Sequence, residues 1–211
     1  MKRLIRKIQF KLRDFFINRK YRKRLKSKDF TIISCDCIGG CIYKDLKMQF
    51  LSPTINLYIG ARDFVTLCAN LKEFMTEGEM SEYHFEGCPY PLATILVPSG
   101  KKIMLFGKHY TSFDELKSAW DRRKTRINYD KLFFILCEGN GFDEGVLRDF
   151  DALPNENKVC FVSKPMPEYK SAFYLKGYDS QSSQKATLSY EKRLGLKRYY
   201  DQFDFVSWFN G

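Results

Sequence analysis

The residues with the clearest chemical potential lie in one short run, Ser34-Cys35-Asp36-Cys37-Ile38-Gly39-Gly40. An apolar, β-branched stretch (30–33) precedes it and a helix-forming stretch (41–48) follows, so the run marks a strand-to-helix loop. A thiol at that point is partly exposed and faces the amides of a helix start, which favour its ionised form. Cys37 is therefore a candidate nucleophile. Gly39 and Gly40 allow close approach of a ligand and offer N–H donors to an oxyanion or phosphate. His109, one of two histidines, sits in a second such loop between the apolar stretch 103–106 and the capping box Ser112-Phe113-Asp114-Glu115. There it is a candidate general base. The plain alternatives are a small cysteine packing beside glycines and a hydrogen-bonded surface histidine.

Arg122, Arg123 and Arg126 follow Trp120 on one helix, where consecutive arginines cannot share a face. Arginine suits the bidentate phosphates or carboxylates of nucleotide sugars, lipid phosphates and coenzyme A, although a solvated helix face reads the same way. Ser52-Pro53-Thr54 forms a rigid turn that is expected to rim the pocket, with Asn56 and Tyr58 on a strand after it. Asp36, Asp63 and Asp130 are cap or orienting carboxylates. Cys35, Cys37, Cys41, His84 and Cys88 lack zinc-ligand spacing, and Cys35 and Cys37 should point apart across a strand end, so no metal site is expected.

Two blocks resemble an uncharacterised bacterial family of exopolysaccharide biosynthesis proteins. The first is Ile32-Ile33-Ser34, Cys37, Gly39-Gly40, Tyr43 and Ser52-Pro53-Thr54 with Asn56; the second is His109-Tyr110, Trp120, Arg122-Arg123, Arg126, Ile127-Asn128 and Asp130. The ending 205–211 is similar as well, so the likeness spans about residues 30–211. One departure stands out: amides usually precede the cysteine, where this chain has Cys35 and Asp36. The resemblance implies a place in surface-polysaccharide assembly. It implies site membership for Cys37 and His109, and substrate contact for Gly39, Gly40, Tyr43, Ser52, Thr54, Asn56, Tyr110, Arg123 and Arg126.

The elements that must position these residues alternate. Strands are expected at 30–33, 55–59, 132–137, 159–162 and 173–175, a hairpin over 93–106, and helices at 63–75, 112–126, 143–150, 189–200 and 203–209. Residues 77–91 and 180–183 read as loops. This order predicts an α/β fold, a layered, mixed and mostly parallel sheet covered by helices. The expected organisation is a basic amphipathic N-terminal helix, 1–28, followed by a single α/β domain, 29–211.

Of the formal charge of +11, the first 28 residues alone carry +12, from 13 Lys/Arg and Asp14. The remainder is nearly neutral, which argues against a nucleic-acid partner. Leu4, Ile5, Ile8, Leu12, Phe15 and Phe16 recur at helical spacing among those cations, the composition of a helix lying on an anionic membrane surface. No run of ~18 apolar residues suits a spanning helix. With no apolar leader of the usual ~7–15 residues and seven scattered cysteines, a reducing cytoplasm is expected. The expectation is a cytoplasmic protein, peripheral on the inner membrane face, that transfers a group from a small donor to a glycan acceptor. Acyl transfer is preferred; a glycosyltransferase using a nucleotide sugar and a non-catalytic membrane-associated assembly protein are the alternatives. The sequence leaves the cofactor unknown.

Overall fold

The computed structural model describes residues 2–139, 141–182 and 186–211. Of the polar loop expected at 180–183, Ser183 lies outside them. The chain opens with α1 (Lys2–Arg13), a π-helical turn (Asp14–Asn18) and α2 (Arg19–Arg24), then enters β1 (Thr31–Ser34) and α3 (Ile38–Asp45). Next come α4 (Ala61–Ala69), α5 (Leu71–Thr76), β2 (Glu79–Tyr83), β3 (Leu92–Leu96), β4 (Lys102–Phe106) and α6 (Phe113–Lys124). The order ends with β5 (Leu132–Cys137), α7 (Glu144–Asp151), β6 (Lys158–Val162), β7 (Ala172–Tyr174), a 3-10 turn (Tyr199–Gln202) and α8 (Phe205–Asn210).

As the alternating pattern predicts, the fold is α/β. Four parallel strands form one sheet in the order β1-β5-β6-β7. The apolar run of β5 lies inside it and is buried on both faces, as a covered parallel sheet requires. The 93–106 hairpin does not join this sheet. It pairs with β2 in a separate antiparallel sheet ordered β2-β3-β4. β2 falls in the stretch expected to be loop; its side chains are nearly all exposed, so no apolar alternation announces it.

Three other expectations are corrected. The helix expected over 63–75 breaks at Asn70, whose side-chain amide donates to Thr66 O at 2.8 Å. The strand expected at 55–59 is a turn, with Asn56 in the left-handed region at φ 67°, followed by one bridge between Tyr58 and Phe106. The helix expected over 189–200 is an irregular loop ending in the 3-10 turn. Its carbonyls serve another element: Gly195 O and Leu196 O accept from Gln9 and Arg13 of α1.

The N-terminal helix packs with its polar side inward. Gln9, Arg13 and Asn18 are buried, whereas Ile5, Ile8, Phe10, Leu12, Phe15 and Phe16 are exposed. Leu4, the first residue of the expected stripe, lies where side chains are not described. The Arg13 guanidinium donates to Asp45 at 2.8 Å, to Asp201 at 2.9 Å and to Tyr200 at 3.1 Å, while Asn18 donates to Asp45 at 2.9 Å. Among the described residues no helix is long and apolar enough to cross a membrane.

Candidate functional site

Cys37 precedes the first residue of α3, and its side chain caps no helix amide. Asp36 Oδ1 takes the Ile38 amide at 2.9 Å, and Ser34 Oγ takes the Gly39 amide at 3.2 Å. With those amides satisfied by neighbours, the thiol of Cys37 turns outward and meets His109 Nε2 at 3.2 Å. Cys37 is half-buried and His109 is exposed.

The route that joins these two loops runs through 58–59. The Ile59 amide donates to Cys35 O at 2.8 Å, at the end of β1. Tyr58 exchanges two backbone bonds with Phe106, at the end of β4, at 3.0 and 2.9 Å. Two residues past Cys35 lies Cys37; three past Phe106 lies His109. The histidine therefore comes from the antiparallel sheet, and a strap between the sheets brings it to the cysteine. Convergence of parallel strands on one sheet edge plays no part.

His109 is a central residue of a tight turn closed by a 2.9 Å bond from Tyr110 N to Gly107 O. A Cβ on Gly107 would lie 2.7 Å from Leu116 Cδ1 and 2.8 Å from Pro91 O, so only glycine fits there. At the other end, Tyr110 is buried and donates to Ile55 O at 3.0 Å. Arg123 donates to the same carbonyl at 3.1 Å and to the Tyr110 hydroxyl at 2.7 Å. Arg126 donates to Phe50 O at 3.2 Å. Tyr110, Arg123 and Arg126 thus hold the 50–56 segment and the turn that carries His109, with their polar groups on backbone carbonyls.

Tyr43, Ser52 and Thr54 are buried as well. β1 is a sheet edge, and its outward amides at Ile32 and Ser34 need acceptors. Tyr43 Oη takes the first at 2.8 Å and Thr54 Oγ1 the second at 3.2 Å, with Ser52 Oγ 3.1 Å from Thr54 Oγ1. These residues seal the strand that carries the site. Gly39 is likewise a packing position: a Cβ there would lie 2.6 Å from Ser34 Oγ, and its amide is already donated to that oxygen. At Gly40 a Cβ would lie 3.2 Å from Ile55 Cγ2. Asn56 supplies the left-handed turn before the strap.

Burial, and secondarily the charge of Asp36, pushes the Cys37 thiol up to about 12, while Lys108 pulls it the other way. The resting sulfur is therefore protonated at neutral pH. Lys108, its ammonium 4.7 Å from the Tyr58 ring centre, is the cation of the site that sequence reading missed. Its place immediately before the candidate base was the available signal.

Two further groupings bear on the chemistry. Cys35, Asp36 and Cys137 bring ligand-type atoms within 4.8 Å of one another, a set drawn from the loop after β1 and the end of β5 that no local spacing reveals. The Cys137 amide donates to Cys35 Sγ at 3.2 Å, so part of this set is already internally bonded. Asp149-Phe150-Asp151 has the spacing of a metal-dependent glycosyltransferase carboxylate pair, but Phe150 is in the core and Asp151 takes the Ser171 amide at 2.7 Å.

A family model described as a domain of unknown function (DUF1919) matches residues 8–210. A Haemophilus influenzae protein, described as uncharacterised, is 35% identical over 202 residues, 93% of this chain and 91% of its own length.

Proposed function

The chain belongs to the family defined by the domain of unknown function DUF1919, and we propose that it is a cysteine–histidine transferase working at an anionic membrane face in surface-polysaccharide assembly. The observation that carries the reading is the 3.2 Å contact between Cys37 Sγ and His109 Nε2, made by loops 72 residues apart. The polysaccharide pathway is supported by the motif resemblance around Cys37 and His109, and the membrane placement by the outward apolar side of α1.

Acyl transfer fits the pair. Cys37 Sγ attacks the carbonyl carbon of an acyl thioester while His109 Nε2 takes the thiol proton. The donor thiolate leaves with that proton, and the acyl group remains on Cys37 as a thioester. A glycan hydroxyl then attacks this carbonyl, giving its proton to His109. The ester departs, and Cys37 regains a proton from His109. Lys108 faces the developing negative charge, a role sequence reading gave to the Gly39 and Gly40 amides. The exposure of His109 favours, as the second reading, an assembly protein that uses this surface for binding alone.

Intact-mass analysis after incubation with short-chain acyl-coenzyme A tests the reaction. The reading predicts one acyl adduct on Cys37, absent in Cys37→Ser and slowed in His109→Ala. No adduct, together with a thermal stabilisation by nucleotide sugars instead, would favour glycosyl transfer and end the acyl-enzyme reading.

A further inference from the structure

The N-terminal helix carries a second surface feature. Where its π-helical turn passes the end of α3, the surface forms a groove of about 620 Å³ walled by Phe10 and Phe15 and ringed by cations. Lys44 lies 5.1 Å from the Phe10 ring centre and Arg19 5.7 Å from that of Phe15. Lys47 and Arg22 also line it, and both pair with its single acid, Asp14, at 3.6 and 2.6 Å. The groove therefore keeps a surplus of positive charge after its internal pairs are formed.

One buried atom in its wall lacks a partner. Asn18, 1% exposed, donates its amide to Asp45, but its Oδ1 accepts no hydrogen bond. A buried acceptor without a donor is costly, and a ligand hydroxyl would satisfy it. The π-helical turn puts Asn18 here: its extra residue shifts the buried side from Gln9 and Arg13 onto position 18.

We propose that this groove seats the phosphoglycerol headgroup of an anionic membrane lipid, with the exposed Ile5, Ile8, Phe15 and Phe16 entering the lipid layer beside it. The cations take the phosphate, and Asn18 Oδ1 takes a glycerol hydroxyl. The aromatic walls lie where the headgroup meets the acyl chains. This rests on the membrane placement proposed above and adds the lipid class.

Co-sedimentation with vesicles tests it, using phosphatidylcholine alone or mixed with phosphatidylglycerol or phosphatidylserine at equal surface charge. The protein should bind the phosphatidylglycerol vesicles several-fold more tightly than the phosphatidylserine ones, and phosphatidylcholine weakly. Lys44→Ala/Lys47→Ala, whose lysines lie outside the N-terminal helix, should lose about tenfold in affinity. Lys101→Ala/Lys102→Ala, on the distant hairpin, should lose less than about twofold at the same charge change. Equal losses in the two doubles, or equal binding to both anionic lipids, would overturn the headgroup site while leaving the membrane placement standing. No binding to any anionic vesicle would remove both, and a dimer in sedimentation without vesicle binding would assign the apolar face to a second copy of the chain. Stabilisation by glycerol phosphate in solution, without vesicle binding, would make the groove a small-molecule site and overturn the lipid assignment.

Discussion

Ile59 donates its amide to the Cys35 carbonyl at 2.8 Å, and with the neighbouring Tyr58–Phe106 bridge this ties the edge of the parallel sheet to the edge of the antiparallel one. Cys37 and His109 hang from the two ends of that tie. Their meeting is a property of the strap, and the residues that shape it are the ones whose substitution should be felt at the site.

The edge of β1 gives a prediction that separates framework from ligand contact. Tyr43→Phe leaves the Ile32 amide without its acceptor, and Thr54→Val does the same to Ser34. Each should lower stability by about 1–3 kcal/mol in urea denaturation, the cost of a buried unpaired amide. An unchanged denaturation midpoint with a raised KM would instead place these hydroxyls on substrate.

Arg13 is the keystone of the N-terminal helix. Its guanidinium is buried against Asp45 and Asp201, whose side chains are also buried. Arg13→Leu removes the cation from both buried carboxylates and should cost roughly 3–5 kcal/mol by denaturant titration. Deleting 1–28 should have at least this effect, so the helix cannot be removed as an inert anchor. A truncated protein as stable as the full chain would contradict the packing.

The pH dependence has a definite sign. Burial raises the thiols of Cys68 and Cys160 well above the ordinary value of 9.0 and Cys37 to about 12, and the hydrogen bond with Cys35, followed by burial, does the same to Cys137. Above 9.0 the unfolded chain releases thiol protons that the folded one keeps, so stability is fully present below that pH and is lost as pH rises toward the folded values. Melting temperature measured from pH 8 to 11 under reducing conditions should fall steadily. Replacing Cys160 by alanine should flatten the fall; a profile independent of pH would contradict the buried thiols.

How much of this was legible in the sequence depended on whether the signal was local. β5 and β6 are continuous apolar runs and α6 has its capping serine, so their identities follow from neighbouring residues. Cys37 and His109 stood out as candidates because each follows a strand in a short polar loop. The strap was not, since 55–59 looks like an ordinary apolar strand and its partners lie in two different sheets. The inward polar side of α1 was hidden too. A basic helix with an apolar stripe reads as one that buries the stripe or lays it on a membrane, and the acids that bury Arg13 lie 32 and 188 residues away. The π turn further masks the spacing by displacing Asn18 one position along the helix.

The pairing of Cys37 with His109 is tested most directly by complementing a strain that lacks this protein with Cys37→Ser and His109→Ala, measuring surface polysaccharide and the melting temperature of each purified variant. Both side chains reach the surface, so the account predicts that either substitution abolishes polysaccharide while the melting temperature stays within about 2 °C of the parent, a shift below ~1 kcal/mol. Full polysaccharide production by Cys37→Ser, or a loss of stability on the scale of a core substitution, would show that the cysteine packs and does not react.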